Sequence, residues 1–360
     1  MAGDELSQRR SKIASQLRPQ RLDCLIVTAA PNVRYLSGFT GSNGALLIGD
    51  SGALLFTDPR YEIQAAEESD CRVRVVRGPL LRKVLDAIRR KRFRRIGFER
   101  GRASFGEYAT LHEGLDLGST LEPADGWVER LRMVKSPGEI EAIRRSAHTN
   151  SRAFERAVRR IRQGMTESDL AAEIEYQMRR LGAQKPAFET IVASGARTAL
   201  PHAQPTSEPI RPNRLLLVDM GASRDGYASD MTRMLYTGRP GRSVKELYRA
   251  VLEAQLAGIA AVRPGVRAGD VDRRVRRELR ASGLDRAFSH STGHGLGLEI
   301  HEAPRLGRKD KTRLEAGMVI TVEPGVYMEG SGGIRIEDTV VVTAGGCEVL
   351  TPTPKKLLEI

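Results

Sequence analysis

The chain has 360 residues and a mass of 39.6 kDa, more than one hydrophobic core usually organises, so two domains are expected. Apolar residues make up 40% of it and charged residues 29%, which excludes an intrinsically disordered protein. No run approaches the roughly 20 apolar residues that span a bilayer, and the opening MAGDELSQRR lacks the apolar core of a signal peptide. A cytoplasmic protein without a membrane partner is therefore expected.

The formal net charge of +13 would allow phosphate binding, so its distribution matters. Arginine is spread along the chain in runs such as RRKRFRR (89–95), VRRIRQG (158–164) and RRVRRELR (273–280), with no basic tail and little aromatic interleaving. Charge runs at helical spacing are typical of solvated helix faces, and no nucleic-acid partner is predicted. The three cysteines form no C-x-x-C pair, which argues against a disulfide framework and against a thiolate metal site.

Residues 1–130 alternate between helical and extended patterns. The amphipathic segment DELSQRRSKIASQL comes first, and LDCLIVT, GALLIG, GALLFT, RVRVV and IGF follow as strands separated by helical or turn segments. This alternation predicts an α/β N-terminal domain. Prolines and glycines then interrupt the pattern, and Ser136 followed by Pro137 is typical of a capped helix start. A domain boundary is therefore predicted near residue 130, with a second domain over residues 131–360.

The second domain contains a weak internal repeat. RQGMTESDLAAEIEYQMRRLGA (162–183) aligns with RPGVRAGDVDRRVRRELRASGL (263–284), an offset of 101 residues at which glycines and apolar positions coincide. Each copy reads as a turn, a helix start and an amphipathic helix, which predicts an α+β domain of two pseudo-symmetric halves with a shared site between them. The alternative is that any two amphipathic helices resemble each other.

Two aspartates lie in a predicted β-hairpin, RLLLVDMGASRDGYASDMTRML (214–235). If the two-residue loop is RD, Asp219 pairs directly with Asp230; if it is DG, Asp219 faces Thr232 instead. Both registers put the two carboxylates on one face, because strand side chains alternate with a period of two. Like charges so placed in apolar runs repel unless a cation lies between them. They are therefore predicted metal ligands, and a solvated acidic hairpin is the alternative.

A glycine-rich segment, FSHSTGHGLGLEIHEAP (288–304), brings three histidines together: His290, His294 and His301. It forms no G-x-G-x-x-G and does not lead into a helix, so a dinucleotide loop is not predicted. Imidazole is a common ligand for borderline metals, and further histidines can bond a substrate.

Two later β runs each hold a carboxylate in an apolar setting. Glu323 follows VITV and Glu337 follows IRI, while Arg335 shares a strand face with Glu337. A buried salt bridge is one interpretation of Arg335, and orientation of Asp219 or Glu337 is the other.

These residues form a candidate ligand set for metal ions: Asp219, Asp230, His294, Glu323 and Glu337. Four carboxylates and one histidine carry a charge of about −4, which two divalent ions would balance. Such an oxygen-rich site suits Mn²⁺, with Co²⁺ or Zn²⁺ as alternatives. Two divalent ions per chain are therefore predicted.

The ordered motifs D-x₁₀-D, G-H-G, V-E-P-G and I-E-D resemble the metallopeptidase family of pita-bread fold that contains methionine aminopeptidase, aminopeptidase P and prolidase. The resemblance covers residues 137–360. The first 130 residues, with PNVRYLSGFTGSNGALL and LLFTDPRYEIQA, resemble the N-terminal domain of the prolidase, aminopeptidase P and creatinase branch, a domain that methionine aminopeptidases lack. The resemblance implies hydrolysis of the bond between a first residue and a following proline.

Carried over by position, the resemblance implies that Asp219 and Asp230 bind one metal, that Asp230, His294, Glu323 and Glu337 bind the other, and that Asp230 and Glu337 bridge. A water between the metals would then attack the scissile carbonyl. Glu323 is the implied proton shuttle from that water to the leaving proline nitrogen.

The resemblance also implies residues on the substrate side of the site. His202 matches a substrate-side histidine, His301 matches the histidine that bonds the carbonyl or the intermediate, and His290 and Tyr327 would line the pocket. Arg305 follows His301 by four residues, as in archaeal-type prolidases, where the matching arginine holds the terminal carboxylate of the substrate. This favours a dipeptidase over an aminopeptidase P; a surface arginine in an Arg-rich chain is the other interpretation.

Other members of the fold define the competing hypotheses. Creatinase does not need the metals and would be expected to lose ligands, whereas all five are present here. A non-catalytic binding module is the alternative of a different class, and the intact ligand set argues against it. Relatives are commonly dimers, so a homodimer is expected, in which GFTGSNG (38–44) reaches a neighbouring active site.

Overall fold

The structure is a computed structural model that describes residues 2–360. The chain forms two compact units, of which the first ends at Arg132 and the second comprises Met133–Ile360. Within the described range, no helix is both long enough and apolar enough to cross a membrane.

The first unit is a mixed β-sheet with helices. Its strand order is β4-β3-β2-β1-β5-β6, where β1 runs antiparallel to β2 and parallel to β5. The helices are α1 (Ala2–Leu17), α2 (Ala30–Ser37), α3 (Glu62–Glu68), α4 (Leu80–Arg90), α5 (Phe105–Gly114) and α6 (Trp127–Met133), and the strands are β1 (Cys24–Val27), β2 (Gly44–Gly49), β3 (Gly52–Thr57), β4 (Arg72–Val75), β5 (Arg95–Phe98) and β6 (Thr120–Pro123).

Burial explains why the central strands read as unbroken apolar runs. All four residues of β1 are buried, and Cys24 and Ile26 belong to one core cluster with Val84 and Ile88 of α4. Strands covered on both faces have no polar side to alternate with. The predicted strands β1 to β5 are confirmed. Strand β6 lies outside the predicted strands, because its TLEP segment ends in a proline, a residue that is uncommon within strands.

The second unit combines long helices with antiparallel sheets. Its helices are α7 (Pro137–Val158), α8 (Glu167–Arg180), α9 (Arg242–Ala261) and α10 (Ala268–Ala281). Its strands are β7 (Lys185–Pro186), β8 (Ile191–Ser194), β9 (Leu215–Met220), β10 (Ala222–Arg224), β11 (Tyr227–Ala228), β12 (Met231–Tyr236), β13 (His294–Gly295), β14 (Glu302–Arg305), β15 (Val319–Val322), β16 (Gly325–Met328), β17 (Gly332–Arg335), β18 (Asp338–Val342), β19 (Cys347–Val349) and β20 (Leu358–Glu359).

Two larger sheets carry the site. One has the order β20-β12-β9-β8 and the other the order β14-β13-β15-β18-β19. The predicted start of α7 is confirmed, because the Ser136 side chain accepts from the Glu139 amide in a capping box.

The predicted repeat is visible in the helices. The bounds of α8 and α10 are equivalent at the offset of 101 residues, and the glycines that precede them, Gly164 and Gly265, share a φ of 83°. Each helix buries its apolar stripe, as Leu170 and Ile174 do in α8. The apolar stripe of α10 is buried in the same way, through Val271 and Val275.

The hairpin register is the second of the two alternatives. Asp225 and Gly226 form the turn with φ values of 53° and 77°, and Asp219 pairs with Thr232. Two successive residues with positive φ are the signature of the tight hairpin turn that DG favours. Asp219 and Asp230 therefore lie diagonally across the strand pair, on one face.

Candidate metal centre and active site

A pocket of about 630 Å³ in the second unit gathers nearly all of the predicted site residues. Its walls include His202, Asp219, Asp230, His290, His294, His301, Arg305, Glu323, Arg335 and Glu337. The predicted pocket residue Tyr327 lies directly behind this wall, where its hydroxyl is bonded to His290 and Arg335.

Strand ends place the five candidate ligands. Asp219 lies in β9 and Asp230 directly before β12, while Glu323 follows β15 and Glu337 precedes β18. His294 lies in β13, where the backbone approaches its neighbours so closely that a Cβ on the adjoining Gly293 or Gly295 would overlap a carbonyl oxygen. The glycines of the G-H-G motif therefore allow the imidazole to reach the carboxylates.

Asp230, His294 and Glu337 form the centre of the cluster, with one ligand atom of each lying within 4.8 Å of the others. His294 Nε2 is 3.6 Å from Asp230 Oδ2 and 3.4 Å from Glu323 Oε1. His294 Nδ1 lies 3.0 Å from the Gly295 carbonyl oxygen, which can only accept, so Nδ1 carries the proton. The Nε2 lone pair is then directed at the carboxylates, as a metal ligand requires.

The electrostatics of the cluster fit a bound cation. Asp219 Oδ1 and Asp230 Oδ1 are buried and have no hydrogen-bond partner in the described part of the chain. For the protein atoms by themselves, burial followed by the charge of Glu337 raises the pKa of Asp230 well above its usual value, and burial raises the pKa of Glu323 to about 7. Orphaned, mutually repelling carboxylates are what divalent ions would satisfy, so the residues present fit the predicted metals.

Arg335 and Thr232 hold the carboxylates from behind. Arg335 Nη2 donates to Asp219 Oδ2 at 2.6 Å, so of the two predicted partners of Arg335 the structure shows Asp219. The fully buried Thr232 donates its hydroxyl proton to Glu337 Oε2 at 2.6 Å and accepts from Arg335 Nε at 3.1 Å. Thr321 donates similarly to Glu323 Oε1 at 3.2 Å.

Neither threonine is among the predicted site residues. Each lies two positions from a ligand on the same strand face, Thr232 from Asp230 and Thr321 from Glu323. That spacing was the available signal. Threonine is common in strands, however, and the sequence does not show which group its hydroxyl bonds.

His290, Tyr327 and Arg335 form a hydrogen-bonded chain beside the ligands. His290 Nδ1 donates to the Ser291 carbonyl, so Nε2 accepts from the Tyr327 hydroxyl at 2.8 Å, and the Tyr327 oxygen accepts from Arg335 Nη1 at 2.8 Å. Burial lowers the pKa of His290 to about 4 and raises that of Tyr327 to about 12. Both groups are therefore neutral near pH 7, so each hydrogen bond from Arg335 through Tyr327 and His290 to Ser291 has one donor and one acceptor.

The remaining predicted residues lie at the exposed rim. The His301 ring meets the His294 ring edge-on at 4.4 Å between centroids, and burial lowers the pKa of His301. His202 and Arg305 are exposed wall residues. Arg305 Nε donates to Ser291 Oγ at 3.2 Å, and its guanidinium makes no ion pair within residues 2–360. The rim thus offers two imidazoles and an available cation to a ligand in the pocket.

Comparisons with known proteins agree with this arrangement. Residues 141–344 match metallopeptidase family M24, and residues 9–134 match the creatinase/prolidase N-terminal domain. The Xaa-Pro dipeptidase of Pyrococcus furiosus is 36% identical over 98% of this chain and 100% of its own length.

Solved structures extend the likeness to the whole fold. The Xaa-Pro dipeptidase from Bacillus anthracis superposes with a TM-score of 0.95 at 36% identity, over 99% of this chain and 100% of that one. The X-Pro aminopeptidase from Thermotoga maritima gives 0.89 at 37% identity, over 95% and 100%. These matches confirm the predicted fold, an α/β N-terminal domain followed by an α+β catalytic domain of the pita-bread type.

Proposed function

Because this chain belongs to metallopeptidase family M24, we propose that it is a metal-dependent peptidase that hydrolyses the Xaa-Pro bond of dipeptides. Relatives that match it over their full length are named Xaa-Pro dipeptidase, which supports the proline specificity. The observation that supports a dipeptide substrate is Arg305, a cation without an ion-pair partner in the described chain, on the wall of the pocket that holds the carboxylate cluster.

The metals are assigned to the five residues of the cluster. Asp219 and Asp230 would hold one ion and Asp230, His294, Glu323 and Glu337 the other, with Glu337 also serving the first. Mn²⁺ is the proposed metal, and Co²⁺ and Zn²⁺ suit the same donors. Bound divalent ions supply Lewis acidity to the scissile carbonyl and favour ionisation of water.

Glu323 moves the proton in this proposal. Its carboxylate lines the pocket, is held by Thr321 and lies next to His294 Nε2, so it can take a proton from an attacking water and pass it to the proline nitrogen. That nitrogen needs a proton in order to leave as an amine and not as a strongly basic amide anion.

The rim residues bind and orient the substrate. His301 lies against His294, close enough to the cluster to donate a hydrogen bond to the carbonyl or to the tetrahedral intermediate. His202 comes from a different segment of the chain and lines the same pocket. In this proposal it contacts the substrate backbone. Arg305 pairs with the free carboxylate that a dipeptide has directly after proline, and its planar fork suits that group.

Release of a first residue from longer peptides is the second candidate, because the X-Pro aminopeptidase from Thermotoga maritima is as similar in sequence as the dipeptidases. The deciding experiment compares Ala-Pro with a longer peptide that begins Ala-Pro, using metal-stripped protein with and without Mn²⁺. Cleavage of Ala-Pro alone supports the dipeptidase. Release of alanine from the longer peptide at equal efficiency supports the aminopeptidase, and silence on both with metal bound overturns the proposal.

The proposal also includes a homodimer, supported by the resemblance to dimeric relatives. GFTGSNG (38–44) would then face the pocket of the partner. Light scattering gives the mass in solution, and a monomer of full activity would contradict this part of the proposal.

A further inference from the structure

Glu167 is a fully buried carboxylate that the proposed chemistry does not use. It occupies the first turn of α8, is 0% exposed and is not a wall residue of the pocket. Its oxygens accept from the Ser194 amide at 2.7 Å, the Thr206 amide at 3.0 Å, the Thr206 hydroxyl at 2.8 Å and Arg197 Nε at 3.1 Å. A buried charge is costly unless it is paired in this way. The proposed chemistry does not explain why a carboxylate is buried at this position.

The partners of Glu167 enclose one loop. Residues 195–205 lie between the two amides that Glu167 holds, and they carry His202. Arg197 crosses the loop from within, because it pairs with Glu167 through Nε and donates from Nη2 to the Gln204 carbonyl at 2.6 Å. One carboxylate and one guanidinium thus fix both ends and the middle of the segment that presents His202.

The far side of this loop is attached to the ligand framework. Thr198 Oγ1 accepts from the Gly333 amide at 2.8 Å, and the Pro201 carbonyl accepts from Arg335 Nη1 at 3.1 Å. Arg335 in turn binds Asp219. Pro201, directly before His202, is therefore linked through Arg335 to the candidate metal ligand Asp219.

The second copy of the internal repeat forms an equivalent helix without this carboxylate. At the offset of 101 residues Glu167 corresponds to Ala268, the first residue of α10, which is also 0% exposed. The N-cap of α8 is supplied by Thr166 and Asp169, so Glu167 is not the cap. What distinguishes the first copy is the His202 loop beside the helix start.

We propose that Glu167 and Arg197 form a clamp that positions His202 at the pocket. Both are positioning residues, which act through the loop and touch neither substrate nor metal. The role of His202 in this proposal rests on the proposed function, whereas the order of loop 195–205 does not. Because His202 meets the substrate before and during the reaction, loss of the clamp raises KM more than it lowers kcat.

Glu167→Gln is the sharpest test, because it keeps the side-chain volume but removes the charge and turns one acceptor into a donor among donors. We expect kcat/KM for Ala-Pro to fall about tenfold or more, within the hundredfold that a 1 Å misplacement can cost. Bound Mn²⁺ should stay unchanged. Glu173→Gln is the matched control, since Glu173 lies on the same helix, where its carboxylate pairs with Arg160 and accepts from Gln177.

Two readouts separate positioning from a general loss of structure. In the metal-loaded variant, amides of residues 194–206 should exchange hydrogen faster while those of α10 do not. In a His202→Ala background, Glu167→Gln should cause little further loss of kcat/KM, because both changes remove the same contact. The clamp is overturned if the losses of kcat/KM from the two substitutions multiply in the double variant. It is also overturned if the loop amides of Glu167→Gln exchange hydrogen at the wild-type rate.

A second variant keeps the test decisive if Glu167→Gln does not fold. Arg197 is 32% exposed, and Arg197→Gln removes the crossing bond while the two amide bonds to Glu167 stay. It should show the same rise in KM and faster exchange in residues 198–204. If the wild-type protein cleaves no Xaa-Pro substrate, the proposed function fails, and the exchange measurement still decides whether the clamp orders the loop.

Discussion

Thr232 offers the clearest perturbation of the cluster that leaves all five candidate ligands in place. Thr232→Val keeps the shape of the side chain but removes the hydroxyl between Glu337 and Arg335. The substitution deletes a 2.6 Å bond to Glu337 Oε2 and leaves Arg335 Nε without its 3.1 Å acceptor. Both partners are buried, so water cannot replace the lost contacts without rearrangement.

The expected size of the effect follows from the charge of these partners. A hydrogen bond to an ionised group contributes about 1.5–3 kcal/mol, and about 1.4 kcal/mol corresponds to a tenfold change in affinity. Thr232→Val should therefore weaken Mn²⁺ binding by roughly 10- to 100-fold, the range typical of groups that orient metal ligands. The weakening should affect both ions, because Glu337 is assigned to both.

Competition with a fluorescent chelator measures this affinity directly, and circular dichroism checks that the metal-free variant is folded. Thr237→Val is the matched control. Thr237 lies directly after the same strand, and its hydroxyl also donates a hydrogen bond, but to the Arg211 carbonyl at 2.7 Å and not to a candidate ligand. The control should bind Mn²⁺ as the wild type does. Equal affinity of Thr232→Val and wild type would show that the hydroxyl does not orient Glu337 for metal binding.

Three further outcomes follow from the same geometry. Arg305→Ala should lower kcat/KM for Ala-Pro by roughly tenfold to a hundredfold and affect longer Ala-Pro peptides far less; equal losses on both, measured by amino-acid release, would remove carboxylate recognition. Because the pKa of Glu323 is raised to about 7, the metal-free protein should lose stability as pH rises from about 4.5 through 7. The gain in melting temperature on adding Mn²⁺ should therefore be larger at pH 8 than at pH 5. A gain independent of pH would contradict this. Lys135→Met removes the cation of the buried Lys135–Glu302 pair, 1% and 6% exposed, and should destabilise the protein by about 3–5 kcal/mol in urea unfolding; an unchanged midpoint would refute it.

Local patterns sufficed to predict β1 to β5, the hairpin strands and the composition of the candidate cluster. Buried strands read as apolar runs, and a carboxylate at the end of such a run, like Glu323 after VITV, has few roles other than binding a cation. The hairpin left two registers open. The choice depended on positive φ at both Asp225 and Gly226, which the DG dipeptide favours but does not require.

Contacts between distant segments could not be predicted. Glu167 bonds Ser194 and Thr206, which lie too far along the chain for helix or strand periodicity to indicate the contact. The segment TESDL by itself is typical of an ordinary helix start. Thr232 contacts Glu337 across more than a hundred residues. Such pairs depend on how the sheets meet, and a single sequence contains no signal for that.

The two halves of the second unit supply complementary parts of the candidate centre. The first half contributes Asp219 and Thr232 from its antiparallel strands, and the second contributes Arg335 and Glu337. Two of the contacts that orient a carboxylate cross between the halves, since Arg335 binds Asp219 and Thr232 binds Glu337. Asp219 and Glu337 are therefore each held by a side chain from the other half. The two copies of the repeat share an equivalent helix, and they differ where the first copy holds the His202 loop, as at Glu167 and its apolar counterpart Ala268.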